Sequence, residues 1–160
     1  MATTNADIVR ILGDIASLLE VDEASGFRVR AYRNAADSIR FLDPPLTEMV
    51  EKGEPLNDLQ DIGPAIAKKI EEIIQTGHLA YLDKLGAESG PGILELLRIS
   101  GLGPKRVRLL RDTLNIRSPE ELLAAAESGA LAGVSGFGPK TVTTLLEKLR
   151  KKYGEDASAE

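Results

Sequence analysis

Gly101-Leu-Gly-Pro-Lys-Arg-Val-Arg-Leu-Leu110 recurs without gaps as Gly136-Phe-Gly-Pro-Lys-Thr-Val-Thr-Thr-Leu145, and in weaker form as Asp61-Ile-Gly-Pro-Ala-Ile-Ala-Lys-Lys-Ile70. The offsets are 40 and 35 residues, the scale of a repeated supersecondary unit. Each copy follows a short apolar segment (Leu56/Leu59, Ile93–Leu97, Leu131/Val134) and opens a longer amphipathic helix. Proline in a first helical turn loses no hydrogen bond, and its fixed φ suits initiation. Glycine before it permits positive φ and leaves the backbone uncovered by side chains.

A tight Gly-apolar-Gly turn that opens a helix presents backbone N–H groups at the positive end of the helix dipole. That is a seat for a phosphate oxygen, blind to base sequence. Copies two and three add Lys105-Arg106 and Lys140-Thr141, which suit neighbouring phosphates. The candidate phosphate-binding residues are therefore Gly101, Gly103, Lys105, Arg106, Gly136, Gly138, Lys140 and Thr141, with Gly63 from the first copy. Copy one has Asp61 at the first glycine and Ala65-Ile66 at the basic positions, so it should bind anions least well and serve mainly packing. A single Gly-x-Gly-Pro is usually an ordinary helix–helix turn. Three copies, two with adjacent cations, form the pattern of the helix-hairpin-helix DNA-binding motif.

Composition agrees with the fold and, at first sight, disagrees with the partner. The 160 residues are 42% apolar with only six aromatics, an aliphatic and helical composition. Without cysteine there is no disulfide, thiolate zinc site or cysteine nucleophile, and one histidine excludes a multi-histidine metal site. No apolar run approaches membrane-spanning length and the N-terminus lacks a leader pattern, so the expectation is a soluble, cytoplasmic protein, nucleoid-associated when bound to DNA, with no membrane partner. The net charge of −5 argues against nucleic acid only as an average. Residues 1–24 carry −4 and 41–62 carry −5, whereas 27–40 carry +3, 98–117 carry +5 and 136–152 carry +4.

In the N-terminal half, Asn5 is expected to cap a helix with Ile8, Ile11, Leu12, Ile15 and Leu19 on one face. Residues 27–42 form a second helix with Val29, Tyr32, Ala36 and Ile39 inward and its arginines mostly outward. Thr47–Lys52 is a third, stopped by Gly53, and a fourth runs from Pro64 to about Gln75. Ser118-Pro-Glu-Glu121 reads as a capping box. No stretch alternates as a strand, so the chain is all-α.

The run Arg30-Ala-Tyr-Arg-Asn-Ala-Ala36, then Leu59-Gln-Asp-Ile-Gly-Pro-Ala-Ile-Ala-Lys-Lys-Ile-Glu-Glu-Ile73, then Thr76-Gly77, resembles the N-terminal lyase domain of family X DNA polymerases, the group of DNA polymerase beta. Arg98–Leu110 resembles the second hairpin of that family, in the subdomain that grips the primer side of the duplex. Val134–Leu149 resembles a stretch of its bacterial and archaeal members. The resemblance implies a lyase-like lobe at 1–86 holding the first helix-hairpin-helix (59–75) and a tandem lobe at 91–152 with hairpins at 93–114 and 119–150, and the stretch Gly86-Ala-Glu-Ser-Gly-Pro-Gly92 reads by its composition as the hinge. Residues 153–160 are expected to be a disordered tail.

By the same resemblance, Lys69 matches a lysine that forms a Schiff base with a 5′-deoxyribose phosphate. Tyr32 and Arg28 match residues near the 5′-phosphate, and Lys68 is a neighbouring cation. Ala65, Phe27 and Tyr81 stand where the family has a lysine, a histidine and a further lysine, which counts against activity. His78 reads as a surface residue. The resemblance also implies Na⁺ or K⁺ at hairpin carbonyls, with Gly101, Leu102 and Gly103, or Gly136, Phe137 and Gly138, as candidates, and no obligatory cofactor. The Gly-Ser…Asp-x-Asp pattern of a two-metal polymerase site does not occur, so this chain is not expected to polymerise alone. The expected function is DNA binding through backbone phosphates at gaps, nicks or 5′-phosphate ends in repair. The alternatives are an active lyase and a scaffold for a separate polymerase or nucleotidyltransferase.

Overall fold

The computed structural model describes residues 3–22 and 25–154. Among the described residues all regular structure is helical, and the chain divides into two units, one up to Ser89 and one from Gly90.

The first unit begins with α1 (Asn5–Val21), whose five periodic residues Ile8, Ile11, Leu12, Ile15 and Leu19 are all buried. Burying each such side chain is worth about 1.5–3 kcal/mol, the term that offsets the entropy of ordering the helix. The expected cap is displaced by one residue. Thr4 closes a reciprocal capping box with Asp7, its Oγ1 accepting from the Asp7 N–H at 3.1 Å while Asp7 Oδ2 accepts from the Thr4 N–H at 3.0 Å. Asn5, already helical, instead accepts from the Leu46 N–H at 2.8 Å and donates to the Pro44 carbonyl, which docks the start of α3 on α1.

Helix α2 (Gly26–Arg40) packs Val29, Tyr32, Ala35, Ala36 and Ile39 inward. Of its arginines, Arg33 is half-buried and reaches Glu20 of α1 at 3.3 Å. There follow α3 (Leu46–Glu51), a 3₁₀ turn (Leu56–Asp58), α4 (Pro64–Thr76) and α5 (Ala80–Ser89). The expected hinge over 86–92 is helical as far as Ser89, because Gly86 simply continues α5 while Leu85 is buried.

The second unit contains α6 (Pro91–Leu97), α7 (Pro104–Leu114), α8 (Pro119–Ser128), a 3₁₀ turn (Ala130–Gly133) and α9 (Pro139–Tyr153). Its core is aliphatic: Ile93, Leu96, Val107, Leu110, Leu122, Leu131, Leu145 and Leu149 are buried. Helix α6 approaches the start of α8 so closely that a Cβ at Gly92 would lie 2.1 Å from the Arg117 carbonyl oxygen, so only glycine fits. At α8 the serine half of the expected capping box forms, Ser118 Oγ accepting from the Glu121 N–H at 3.2 Å. The Glu121 carboxylate takes the Arg117 N–H instead, one residue before the cap. Of the expected tail 153–160, Tyr153 closes α9, and residues 155–160 lie outside the described residues.

Candidate nucleic-acid interface

The three repeats fold into one local geometry. Their first positions all take positive φ: +66° at Asp61, +94° at Gly101 and +87° at Gly136. The central apolar residues Ile62, Leu102 and Phe137 are buried and anchor each turn. Their N–H groups donate to the carbonyls of Leu59, Ile99 and Val134 at 3.2, 3.0 and 3.1 Å, respectively. The second glycines, Gly63, Gly103 and Gly138, are the N-caps of α4, α7 and α9, and no side chain caps these helix starts.

The second glycines are informative because nothing internal requires them. Their φ values lie between −71° and −96°, which any residue adopts, and a Cβ at any of the three would meet nothing within 4 Å. Serine or aspartate would cap these helices at least as well. Glycine here keeps the approach to the orphan amides of the first turn open to an outside acceptor.

Charge then separates the hairpins. Lys105 and Lys140 are exposed beside hairpins two and three, and Thr141 is half-buried next to Lys140. Within the second unit a cavity of about 220 Å³ is lined by Gly101, Arg106, Phe137, Lys140, Thr141 and Lys148. Lys148, two turns along α9 from its hairpin and absent from the sequence-based candidates, donates to the Ser100 carbonyl at 3.2 Å. Its i+8 spacing from Lys140 was the available signal. Arg106 is half-buried and turns back on the protein, donating to the Gly101 carbonyl at 2.9 Å. Hairpin one keeps the geometry without the charge: Ala65 is exposed, Ile66 is buried, and Asp61 Oδ2 accepts from Ser38 Oγ at 3.0 Å. Asp61 therefore puts a carboxylate where the others have no side chain.

In the first unit the structure gathers Arg28, Tyr32 and Lys69 around Tyr81. The Tyr32 and Tyr81 rings stack with centroids 6.4 Å apart, and Lys69 Nζ lies 4.9 Å from the Tyr81 ring centroid. Arg28 donates from Nη2 to the Tyr81 hydroxyl. Burial pushes the Tyr32 phenol above the ordinary tyrosine value, helped by Tyr81 and opposed by the Arg28 charge. Lys68 is exposed on another face of α4, and Phe27 and His78 are exposed as well. Tyr81, a departure from the family pattern, organises the cluster.

Among the described residues no group of three or more His, Cys, Asp or Glu is placed to hold a metal ion. No described helix is long and apolar enough to cross a membrane.

Comparison with known proteins places a helix-hairpin-helix domain over residues 3–79 and a SAM-like helix-hairpin-helix tandem over residues 93–151. The chain is 33% identical over 143 residues to a DNA polymerase/3′-5′ exonuclease PolX of Bacillus subtilis, a match that takes in 89% of this chain and 24% of that protein. It is 32% identical over 85 residues to the Holliday junction branch migration complex subunit RuvA of Bordetella petrii, covering 53% of this chain and 44% of that subunit. A RuvA subunit of an Acidovorax species matches at 31% over 70 residues. The chain thus spans about a quarter of the first relative and less than half of the RuvA subunits.

Proposed function

We infer that this chain, a series of helix-hairpin-helix domains akin to the N-terminal region of family X DNA polymerases, grips DNA by its phosphates without regard to sequence. The observation that carries the reading is the pair of open helix starts at Gly103 and Gly138, each with an adjacent lysine. Amide donors and lysines address phosphate oxygens, which are the same at every base pair. Hairpin one contributes packing and little affinity. The sites favoured are gaps, nicks and 5′-phosphate ends in repair, a preference supported by the likeness to the polymerase and by the second cluster, where the cations Arg28 and Lys69 stand with Tyr32 around Tyr81.

That cluster supports a second reading, a 5′-deoxyribose-phosphate lyase. The Lys69 amine would add to the C1′ aldehyde and lose water to form the imine. Loss of a C2′ proton and cleavage of the C3′–O bond would then release the downstream strand with its 5′-phosphate, and hydrolysis of the imine would return the lysine. Arg28 and Tyr32 would hold the sugar phosphate. The monovalent ion that the resemblance implies would have to be held by free carbonyl oxygens of the hairpin turns, Gly101–Gly103 or Gly136–Gly138. The carbonyls of Gly103 and Gly138 already accept the N–H groups of Val107 and Val142, at 3.0 and 2.9 Å.

Borohydride trapping on a 5′-deoxyribose-phosphate end, alongside a gel shift on gapped duplex at low salt, separates the readings. Binding without an adduct supports the binding module alone. An adduct that disappears in Lys69→Ala supports the lyase. Absence of a shift removes both and leaves the scaffold, with the acidic stretches 1–24 and 41–62 facing a basic partner such as a separate nucleotidyltransferase.

A further inference from the structure

Arg106 sits among the phosphate-binding candidates, yet the fold uses its guanidinium inside the protein. Nη1 donates to the Gly101 carbonyl at 2.9 Å, and the guanidinium carbon lies 5.5 Å from the Phe137 ring centroid. A Cβ added at Gly136 would stand 3.9 Å from Arg106 Nε. One cation therefore touches a carbonyl of hairpin two and the aromatic anchor of hairpin three, and runs close beside the backbone of the latter. The hydrogen bond to a charged donor and the ring-face contact both hold the side chain in place.

This placement bears on the monovalent ion that the resemblance implies. The Gly101 carbonyl is already engaged by a full positive charge, and the first turn of hairpin three has the same guanidinium alongside. A second cation at the Gly101 carbonyl would face repulsion at contact distance, and one beside the Phe137 ring would meet the same charge nearby. The residues present do not fit an added ion there.

We propose that Arg106 is a positioning residue, a built-in cation that ties hairpins two and three together and takes the place of a bound Na⁺ or K⁺. It acts on DNA through the two hairpins, setting the spacing of their amide donors, rather than as a phosphate ligand. DNA affinity then depends on total salt and is indifferent to which monovalent cation supplies it. The affinity part of this proposal rests on the DNA-binding reading above; the stability part does not.

The test has two arms. In the first, the full chain is melted without DNA as wild type, Arg106→Lys and Arg106→Ala. Loss of the tie should lower the melting temperature of the second unit by roughly 5–10 °C in Arg106→Ala, with Arg106→Lys between the two. A solvent-facing phosphate ligand would leave the melting temperature unchanged, and that result overturns the proposal. In the second arm, affinity for a fluorescent gapped duplex is measured at equal ionic strength in KCl and in tetramethylammonium chloride. Wild type should agree within about twofold, and the salt slope of Arg106→Ala should stay at the wild-type value, whereas a lost phosphate contact lowers it by about one. A wild-type preference for K⁺ beyond about fivefold, or a slope lower by about one in Arg106→Ala, overturns the proposal. Failure to bind in every salt would remove the DNA reading, and the melting arm would still decide the role of Arg106.

Discussion

Replacing Gly103 by aspartate should weaken DNA binding while leaving the fold as stable as before or slightly more so. The stability side follows from the backbone. Gly103 sits at φ −96°, ψ 175°, and a Cβ there meets nothing within 4 Å, so an aspartate enters without strain. As an N-cap it accepts from first-turn amides, worth a few tenths of a kcal/mol over glycine. The affinity side has the opposite sign, because the same amides are withdrawn from the phosphate and a carboxylate takes its place. Two unit charges about 4 Å apart repel by about 1 kcal/mol in water and about 4 kcal/mol at an effective dielectric of 20. For an exposed hairpin, about 2 kcal/mol is a reasonable sum, or roughly a 30-fold rise in Kd. Gly138→Asp should behave alike. Gly63→Asp, beside Asp61 and without an adjacent lysine at the turn, should change Kd by less than about threefold. Fluorescence anisotropy on a nicked duplex at low salt reads the affinities, and circular dichroism melts read the fold. Equal losses at all three positions, or no loss at Gly103 and Gly138 in chains that melt normally, would refute the reasoning.

Other consequences are simpler to state. Gly101→Ala and Gly136→Ala place a Cβ at φ +94° and +87° and should each cost about 1–2 kcal/mol in denaturant melts. Asp61→Ala should cost stability through both its φ of +66° and the lost Ser38 bond, and Asp61→Gly less. Since the folded-state pKa of Tyr32 is raised, its contribution to stability is full below its ordinary value of 10.0 and is lost as pH rises through the folded value. Urea melts between about pH 9 and pH 11 should therefore fall more steeply for wild type than for Tyr32→Phe. With about four phosphates neutralised across two hairpins, log Kd should rise with log salt at a slope of roughly 3–4, about 100-fold between 50 and 200 mM. A flat salt dependence, read by the same anisotropy titration, would point away from phosphate contacts.

Local pattern made most of the fold legible before the structure. The repeated Gly-apolar-Gly-Pro fixes three helix starts, and the 3.6-residue period of Ile8, Ile11, Leu12, Ile15 and Leu19 marks the buried face of α1. The short helices were harder. Helix α5 runs through Gly86, and α6 spans only Pro91–Leu97, too short for a period to show. The cap of α1 moved from Asn5 to Thr4 because a threonine with an aspartate three residues on makes a reciprocal box, a pairing that outweighs the single-residue preference. The glycines of the repeats occupy the turns and helix starts that the pattern predicts. The direction of a long side chain is set by what it packs against, and no spacing rule gives it. Arg106 faces Phe137 and Gly101, Lys148 reaches Ser100, and Tyr81 draws Arg28 and Lys69 together. All are contacts across elements.

The central claim is one of place: phosphates touch hairpins two and three and not hairpin one. A titration of the ¹⁵N-labelled chain with a gapped duplex, followed amide by amide in two-dimensional NMR spectra, tests it most directly. The account predicts that the largest shifts fall on the amides of Gly103, Lys105 and Arg106 and of Gly138, Lys140 and Thr141, with Asp61–Ala67 nearly still. Shifts concentrated on Asp61–Ala67 or on the acidic stretch 41–62, with the two basic hairpins unmoved, would contradict it.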